Sequence, residues 1–269
     1  MQAASKNARI RIVQSRQNTR VKELRSALKK GAKTDSGYVA IEGFHLLEEA
    51  LRSGLRVLTV FFRSGDAALL EQLSLAHETE ILELPPELFS SAVTTESPQG
   101  IAALAEAPTF TLETMLAAPQ ALIIVSAALQ DPGNLGTIIR SAEALGASGL
   151  VALPGTVSIW NPKALRASAG SAFRLPVVVA SGQELFQALR SRKFRTLATT
   201  VDSATPVQQV DLAQPTALFI GNEGSGLSED LIAQCDDRIT IPCPGPVESL
   251  NAAIAASILL YEAARQRQL

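Results

Sequence analysis

Three short segments in the second half of the chain collect side chains able to handle a reacting oxygen: DPGNLGTIIR at 131 to 140, FIGNEGSGL at 219 to 227 and IPCPGPVESLN at 241 to 251. Between them they offer Asn134, Arg140, Glu223, Ser249 and Asn251 on glycine- and proline-rich turns. Each turn lies at or just beyond a run that reads as a strand: Ala121 to Val125, Ala217 to Ile220 and Arg238 to Ile241. In an open α/β sheet, ligands collect outside the carboxyl ends of the strands, so three such turns predict one site. Arg140 stands six residues after Asn134 on the helix that the first turn opens, nearly two turns on, and faces aside from it. A different element must complete the pocket.

Common chemistries fail on residue type. GNEGSGLS, from Gly221 to Ser228, has the glycine spacing of a phosphate-binding loop, but Leu227 stands where the lysine must be. The order of Gly221, Gly224 and Gly226 misses the dinucleotide-binding fingerprint. The 2 histidines, His45 and His77, both lie far upstream, so a Ser-His or Cys-His device would have to reach across domains. The 2 cysteines, Cys235 and Cys243, form neither a disulfide framework nor a metal site, and no metal is expected. An arginine, a carboxylate, amides and hydroxyls remain, a set suited to group transfer onto a positioned oxygen. Taken singly, Arg140 reads equally well as a surface ion pair, Asn134 as a helix cap, and Glu223 as a turn residue near a helix that Ser228 caps.

The elements that would hold these residues alternate along the 269-residue chain, 46% of which is hydrophobic. A basic helix around Lys22 to Lys30 precedes strands at 38 to 41, 56 to 62, 81 to 84 and 100 to 105, with helices at 44 to 51, 66 to 76 and from Pro85. Residues 1 to 107 therefore read as a small α/β domain, and 108 to 120, which hold Pro108 and Pro119, as a linker. From 121 to 269 the pattern is strand 121 to 126, helix 134 to 146, strand 149 to 153, a short helix from Pro162, strand 175 to 180, helix 182 to 192, strands 194 to 200 and 216 to 220, helix 228 to 235, strand 238 to 241 and helix 248 to 267. Near-continuous apolar strands alternating with helices imply a mostly parallel sheet covered on both faces. The fold class is α/β with two domains.

Charge is unevenly spread. Residues 1 to 33 hold ten Lys or Arg against the single acid Glu23, a local +9 within a chain of net charge -2. Such a cluster suits a polyanion, because each phosphate it neutralises releases counterions. A solvated amphipathic helix explains it equally well. No apolar run approaches the ~20 residues that span a bilayer, and no apolar signal-peptide centre follows the basic start. A soluble cytoplasmic protein without membrane contact is expected.

Together the three segments resemble the signature motifs of the SpoU/TrmH-type RNA ribose 2′-O-methyltransferases of the SPOUT superfamily. The stretch NPKALRASAGSAFRLP at 161 to 176 is similar to another part of that family. The basic start, through IEGFHLLEEALRSG at 41 to 54, resembles its ribosomal-protein-like substrate-binding domain. Cys243 in place of the usual Met, Ala252 in place of Val, and the added Pro244 and Pro246 depart from the pattern without removing Ser249 or Asn251.

The resemblance implies a knotted C-terminal domain that works as a homodimer through that domain and binds S-adenosylmethionine. Cofactor contacts would fall at Gly221, Ile241 and Leu250, with Thr200 and Pro242 beside them. Arg140 would orient the ribose hydroxyl, while Asn134, Glu223, Ser249 and Asn251 hold the geometry. Arg20, Lys22, Lys29 and Lys30 would contact RNA, ribosomal rather than transfer RNA because a separate N-terminal domain is present. A non-catalytic RNA-binding or ribosome-assembly protein, a tRNA ribose methyltransferase and a base-nitrogen methyltransferase are the competing readings, and the Ser-Leu-Asn at 249 to 251 favours ribose over base. Replacing Lys22, Lys29 and Lys30 together should weaken RNA binding and flatten its dependence on salt concentration. An unaltered slope in a salt titration would show that this helix face meets no phosphate.

Overall fold

The computed structural model describes residues 10–201, 204–246 and 249–268. Lys6 and Arg9 of the basic start lie outside the described residues. The chain forms two compact units, one comprising the chain up to Pro108 together with Ser158–Phe173, the other Thr109–Val157 and the residues from Arg174 onward.

The first unit contains β1 (Ile10–Ile12), α1 (Thr19–Lys30), β2 (Tyr38–Glu42), α2 (Phe44–Arg52), β3 (Val57–Arg63), α3 (Ala68–Glu71), β4 (Glu80–Leu84), α4 (Pro86–Ala92) and β5 (Ile101–Glu106). Its sheet runs β1-β4-β3-β5-β2, with β5 antiparallel to both neighbours and the other pairs parallel. Helix α1 forms where Asn18 Oδ1 accepts from the N–H of Arg20 and Val21, and it stops at Gly31, whose φ of 59° is left-handed. Its apolar positions Val21, Leu24, Ala27 and Leu28 recur at helical spacing and pack with Phe61, Leu82 and Leu104 of the sheet.

The second unit opens with α5 (Leu112–Met115), β6 (Leu122–Ser126), α6 (Pro132–Ala144) and β7 (Gly149–Ala152). The chain then enters the segment carrying α7 (Pro162–Ser168), which groups with the first unit. It continues through β8 (Val177–Val179), α8 (Gly182–Ser191), β9 (Arg195–Thr199), β10 (Thr205–Pro206), β11 (Thr216–Ile220), α9 (Glu229–Gln234), β12 (Asp237–Thr240) and α10 (Ala252–Gln266). The 7 strands lie in the order β10-β12-β9-β11-β6-β7-β8, every pair parallel. On one face Ile123, Val125, Ala217 and Phe219 meet Leu185, Phe186 and Leu189 of α8, and the Phe186 and Phe219 rings stack at 5.2 Å. The alternate residues Leu122, Ile124, Leu218 and Ile220 are buried as well, the pattern of strands covered on both sides. Helices α6 and α10 pack on each other, joined by the Ser141 and Ser257 hydroxyls at 2.8 Å.

Beyond the unforeseen β1, α5 and β10, three details differ from the sequence expectation. The helix expected over 66 to 76 is confined to Ala68–Glu71, since of its leucines only Leu70 and Leu73 are buried and the turn closes in 3₁₀ fashion from Leu73 N–H to Leu70 C=O. The final helix begins at Ala252 instead of 248, because Asn251 Oδ1 accepts from the N–H of Ala253 and Ile254 and so fixes the start. Segment Ser158–Phe173 packs with the first unit, a placement no contiguous division of the chain expresses. Two glycines seat it: a Cβ on Gly31 would lie 3.0 Å from Asn161 Cα, and one on Gly170, where φ is +89°, would lie 2.7 Å from Glu49 Cβ.

Gly31→Ala meets both a left-handed backbone and the Asn161 contact, so it should lower stability by more than ~1 kcal/mol. Urea unfolding followed by circular dichroism checks this; an unchanged midpoint would mean that α1 and Asn161 readily move apart.

Candidate active site

The carboxyl ends of β6 and β11, neighbours in the sheet, bring the first two signature turns together. At β6, the turn enters α6 with Pro132 at its first position, and Asp131 caps it by accepting from Asn134 N–H at 2.8 Å. At β11, the turn folds back on itself: Asn222 and Gly226 exchange two backbone hydrogen bonds of 3.0 Å. A Cβ on Gly221 would lie 2.2 Å from the Gly226 carbonyl carbon, so only glycine permits this crossing.

Glu223 joins the turns. Its carboxylate accepts from the N–H of Gln130 at 3.3 Å, the N–H of Asp131 at 3.1 Å and Asn134 Nδ2 at 3.0 Å. Because Asn134 Nδ2 faces an obligate acceptor, its Oδ1 is free to accept, and it does so from Asn251 Nδ2 at 3.0 Å. Asn251 Oδ1 in turn takes the N–H groups at the start of α10. One line of hydrogen bonds thus links all three signature turns, with both amides oriented by their partners. Desolvation pushes the Glu223 carboxyl up, but the bonds from Asn134 Nδ2 and the backbone outweigh it and hold it below its ordinary value. An anion fixed in this way is a clamp and a poor proton acceptor near neutrality.

The other predicted residues are placed as follows. Arg140 lies in the third turn of α6; it is exposed, and its side chain makes no hydrogen bond or ion pair among the described residues. The surface ion pair that would explain it away is therefore missing, and the cap at Asn134 belongs to Asp131 instead. Ser228 does cap α9, accepting from Leu231 N–H. Ser249 is exposed, two residues before the cap of α10. Thr200, Gly221 and Ile241 follow β9, β11 and β12, which are adjacent parallel strands, so the three lie along one sheet edge. Thr200 N–H donates to Ile239 C=O at 2.9 Å. Thr200, Gly221, Ile241 and Leu250 are half-buried and Pro242 is exposed.

This edge offers the backbone of Thr200 and Gly221 beside the side chain of Ile241, with Ile220 and Ile239 buried in the strands that end there, a mixed polar and apolar surface of the kind that small-molecule sites use. Gly221 and Glu223 share one turn, so this edge and the amide line are contiguous in the chain.

Sequence reasoning missed Asn222, whose Nδ2 donates to Ala128 C=O at 2.8 Å while its Oδ1 accepts from Gly224 and Ser225 N–H, tying the second turn to the first. The signal was an asparagine directly after the glycine of a strand-end turn. Among the RNA candidates in the first unit, Lys22, Lys29 and Lys30 are exposed. Arg20 instead faces Glu23 at 2.8 Å and Glu80 at 3.6 Å, which leaves it the least available of the four for a phosphate.

Comparison with known proteins bears on both units. Residues 121–261 match the SpoU rRNA Methylase family model, and residues 18–103 match the MRM3-like substrate binding domain. The chain is 34% identical over 249 residues to the 23S rRNA (guanosine(2553)-2′-O)-methyltransferase RlmP of Bacillus subtilis, covering 93% of this chain and 97% of that one. It is 34% identical over 247 residues to the 23S rRNA (uridine(2479)-2′-O)-methyltransferase of Streptomyces viridochromogenes, covering 88% and 86%. The crystal structure of the SpoU methyltransferase AviRb from Streptomyces viridochromogenes with the cofactor AdoMet superimposes with a TM-score of 0.82, at 31% identity, over 94% of this chain and 99% of that one.

The lowered Glu223 pKa gives a pH signature. Its hydrogen bonds contribute stability above the ordinary carboxyl value of 4.5 and lose it as pH falls through the lower folded value. Thermal midpoints measured from about pH 6 down to about pH 3 should therefore fall more steeply for the native chain than for Glu223→Gln. Parallel curves would contradict the clamp.

Proposed function

The chain belongs to the SpoU rRNA methylase family, and on that premise we propose that it is an S-adenosylmethionine-dependent methyltransferase acting on a ribose 2′-hydroxyl of ribosomal RNA. The observation that carries the assignment of residues is the line from Glu223 through Asn134 to Asn251, which joins the three turns, one of which opens the helix that carries Arg140. When bound, S-adenosylmethionine supplies an electrophilic methyl group on a sulfonium. Gly221, Ile241 and Leu250 are the proposed contacts for it, with Thr200 and Pro242 beside them.

A ribose hydroxyl is a weak nucleophile at neutral pH, so the residues of the chain must position it and stabilise the charge that appears as its proton leaves. Arg140 is proposed for this task because its side chain is exposed, offers a planar fork of donors and has no partner of its own among the described residues. Asn134, Glu223, Ser249 and Asn251 are proposed to hold the loops in place. Glu223 acts through Asn134 rather than on the substrate.

Residues 1–107 are proposed as the RNA-holding domain, with Lys22, Lys29 and Lys30 as its main phosphate contacts and Arg20 as a minor one, 108–120 as the linker and 121–269 as the transfer domain. The relatives that match both parts act, by their names, on 23S rRNA, which favours ribosomal over transfer RNA. A homodimer is proposed through α6 and α10. Ile254, Ile258 and Tyr261 recur along one face of α10 and are 53%, 37% and 62% exposed, and with Thr137 of α6 they line an apolar hollow of about 290 Å³. A second copy seated there would cover the largest exposed apolar residues of this helix. We further propose that the threading of β9, β11 and the turn before α10 is a trefoil knot. No helix among the described residues is long and apolar enough to cross a membrane, and the cytoplasm is the proposed compartment.

Arg140→Ala should lower methyl transfer to unmodified ribosomal RNA by about 10² to 10³ or more, the usual cost of removing one donor to a developing oxyanion. Cofactor binding measured by calorimetry should persist. Native turnover with the cofactor bound would reject the role of Arg140.

A further inference from the structure

The single tryptophan of the chain, Trp160, lies in the segment that groups with the substrate unit, and the site just described does not use it. Its ring is half-exposed, and the ammonium of Lys33 lies over it at 5.6 Å from the centroid. Its position is fixed from both sides. Ser158 Oγ accepts from Trp160 N–H at 3.2 Å, and the next residue, Asn161, rests on Gly31 at the end of α1 while its side chain caps α7. The last turn of α1 carries the exposed Lys29 and Lys30, and Lys33 follows two residues after Gly31. An indole on a backbone anchored through Ser158 and Asn161 therefore lies beside Lys33, in the compact unit that also carries the exposed Lys29 and Lys30.

We propose that Trp160 is a stacking platform for an unpaired nucleobase of the RNA substrate, with Lys33 and the end of α1 taking the adjoining phosphates. The inference rests on the reading of this chain as an RNA methyltransferase and deepens it, because it names the structural class of RNA engaged: a loop, bulge or single strand with a base free to leave its helix. Aromatic faces hold such bases without regard to sequence, and neighbouring cations follow the backbone. A cation already over the indole matches this arrangement, since Lys33 can turn from the ring to a phosphate while the base takes its place. A base-paired duplex presents no free face to the ring and is not its ligand.

Because Trp160 is the only tryptophan, its emission in the native protein reports the contact directly. The experiment titrates the full chain with an unmodified 23S ribosomal RNA transcript, following tryptophan emission alongside an independent measure of binding by filter retention. Emission should be quenched in step with binding. Trp160→Leu should bind about 5- to 150-fold more weakly, with its salt dependence unchanged because stacking releases no counterion, and Trp160→Phe should recover most of the loss. Lys33→Ala should instead reduce the slope of log affinity against log salt by about one.

Binding that leaves the emission unchanged overturns the platform, as does native affinity in a folded Trp160→Leu chain, while the methyltransferase reading survives either result. Failure of the native chain to bind the transcript at all overturns the RNA reading itself, and the platform with it.

Discussion

The site depends on one carboxylate that is not free. Glu223 gathers two backbone N–H groups and the Asn134 amide from the neighbouring turn, and through Asn134 it orients Asn251 at the start of α10. Each bond in this line determines the next, because an amide whose nitrogen faces a carboxylate must present its oxygen on the other side. The line ends on backbone N–H groups of a helix, which can only donate. Three turns far apart in sequence therefore have one mutual arrangement, and no metal or disulfide within the line is needed to set it.

The sheet makes that line possible. Parallel strands place all their carboxyl ends on one edge, and the order β12-β9-β11-β6 puts the proposed cofactor turns on one side of β11 and the amide line on the other. The turn after β11 belongs to the amide line and to the proposed cofactor edge, and its composition fits both. Gly221 is bare because the chain crosses it closely, Asn222 closes the turn, and Glu223 reaches the next one. The proposed division of labour matches the electrostatics: the acid is held below its ordinary pKa by its bonds, and the exposed Arg140 side chain, without a partner among the described residues, is the group proposed for charge that develops during transfer.

Much of this was legible in the sequence, for identifiable reasons. Apolar runs at Ala121 to Val125 and Ala217 to Ile220 read directly as buried parallel strands, and glycine, proline and asparagine clusters marked their ends. Pairing between distant parts was not legible. The strand Ile10–Ile12 was hidden in a basic run, since its partner Ile81 lies some seventy residues away. Charge counting marked Arg20 as a nucleic-acid contact, but charge alone cannot reveal that Glu23 and Glu80 meet it. Asn134 and Glu223 could be named as site residues; their direct bond required the fold. The attachment of Ser158–Phe173 to the first unit rests on close approaches at Gly31 and Gly170 that no periodicity signals.

The proposed division between the units matches their surfaces, one offering exposed lysines and an aromatic face, the other a hydrogen-bonded polar line beside a strand edge. Ribose methylation is tested by transfer of labelled methyl from S-adenosylmethionine to unmodified 23S ribosomal RNA, with the product digested to nucleosides and identified by mass spectrometry. The label is expected in one 2′-O-methylated nucleoside. Label on a base, or no transfer to ribosomal RNA by a protein that binds both the cofactor and the RNA, would contradict it.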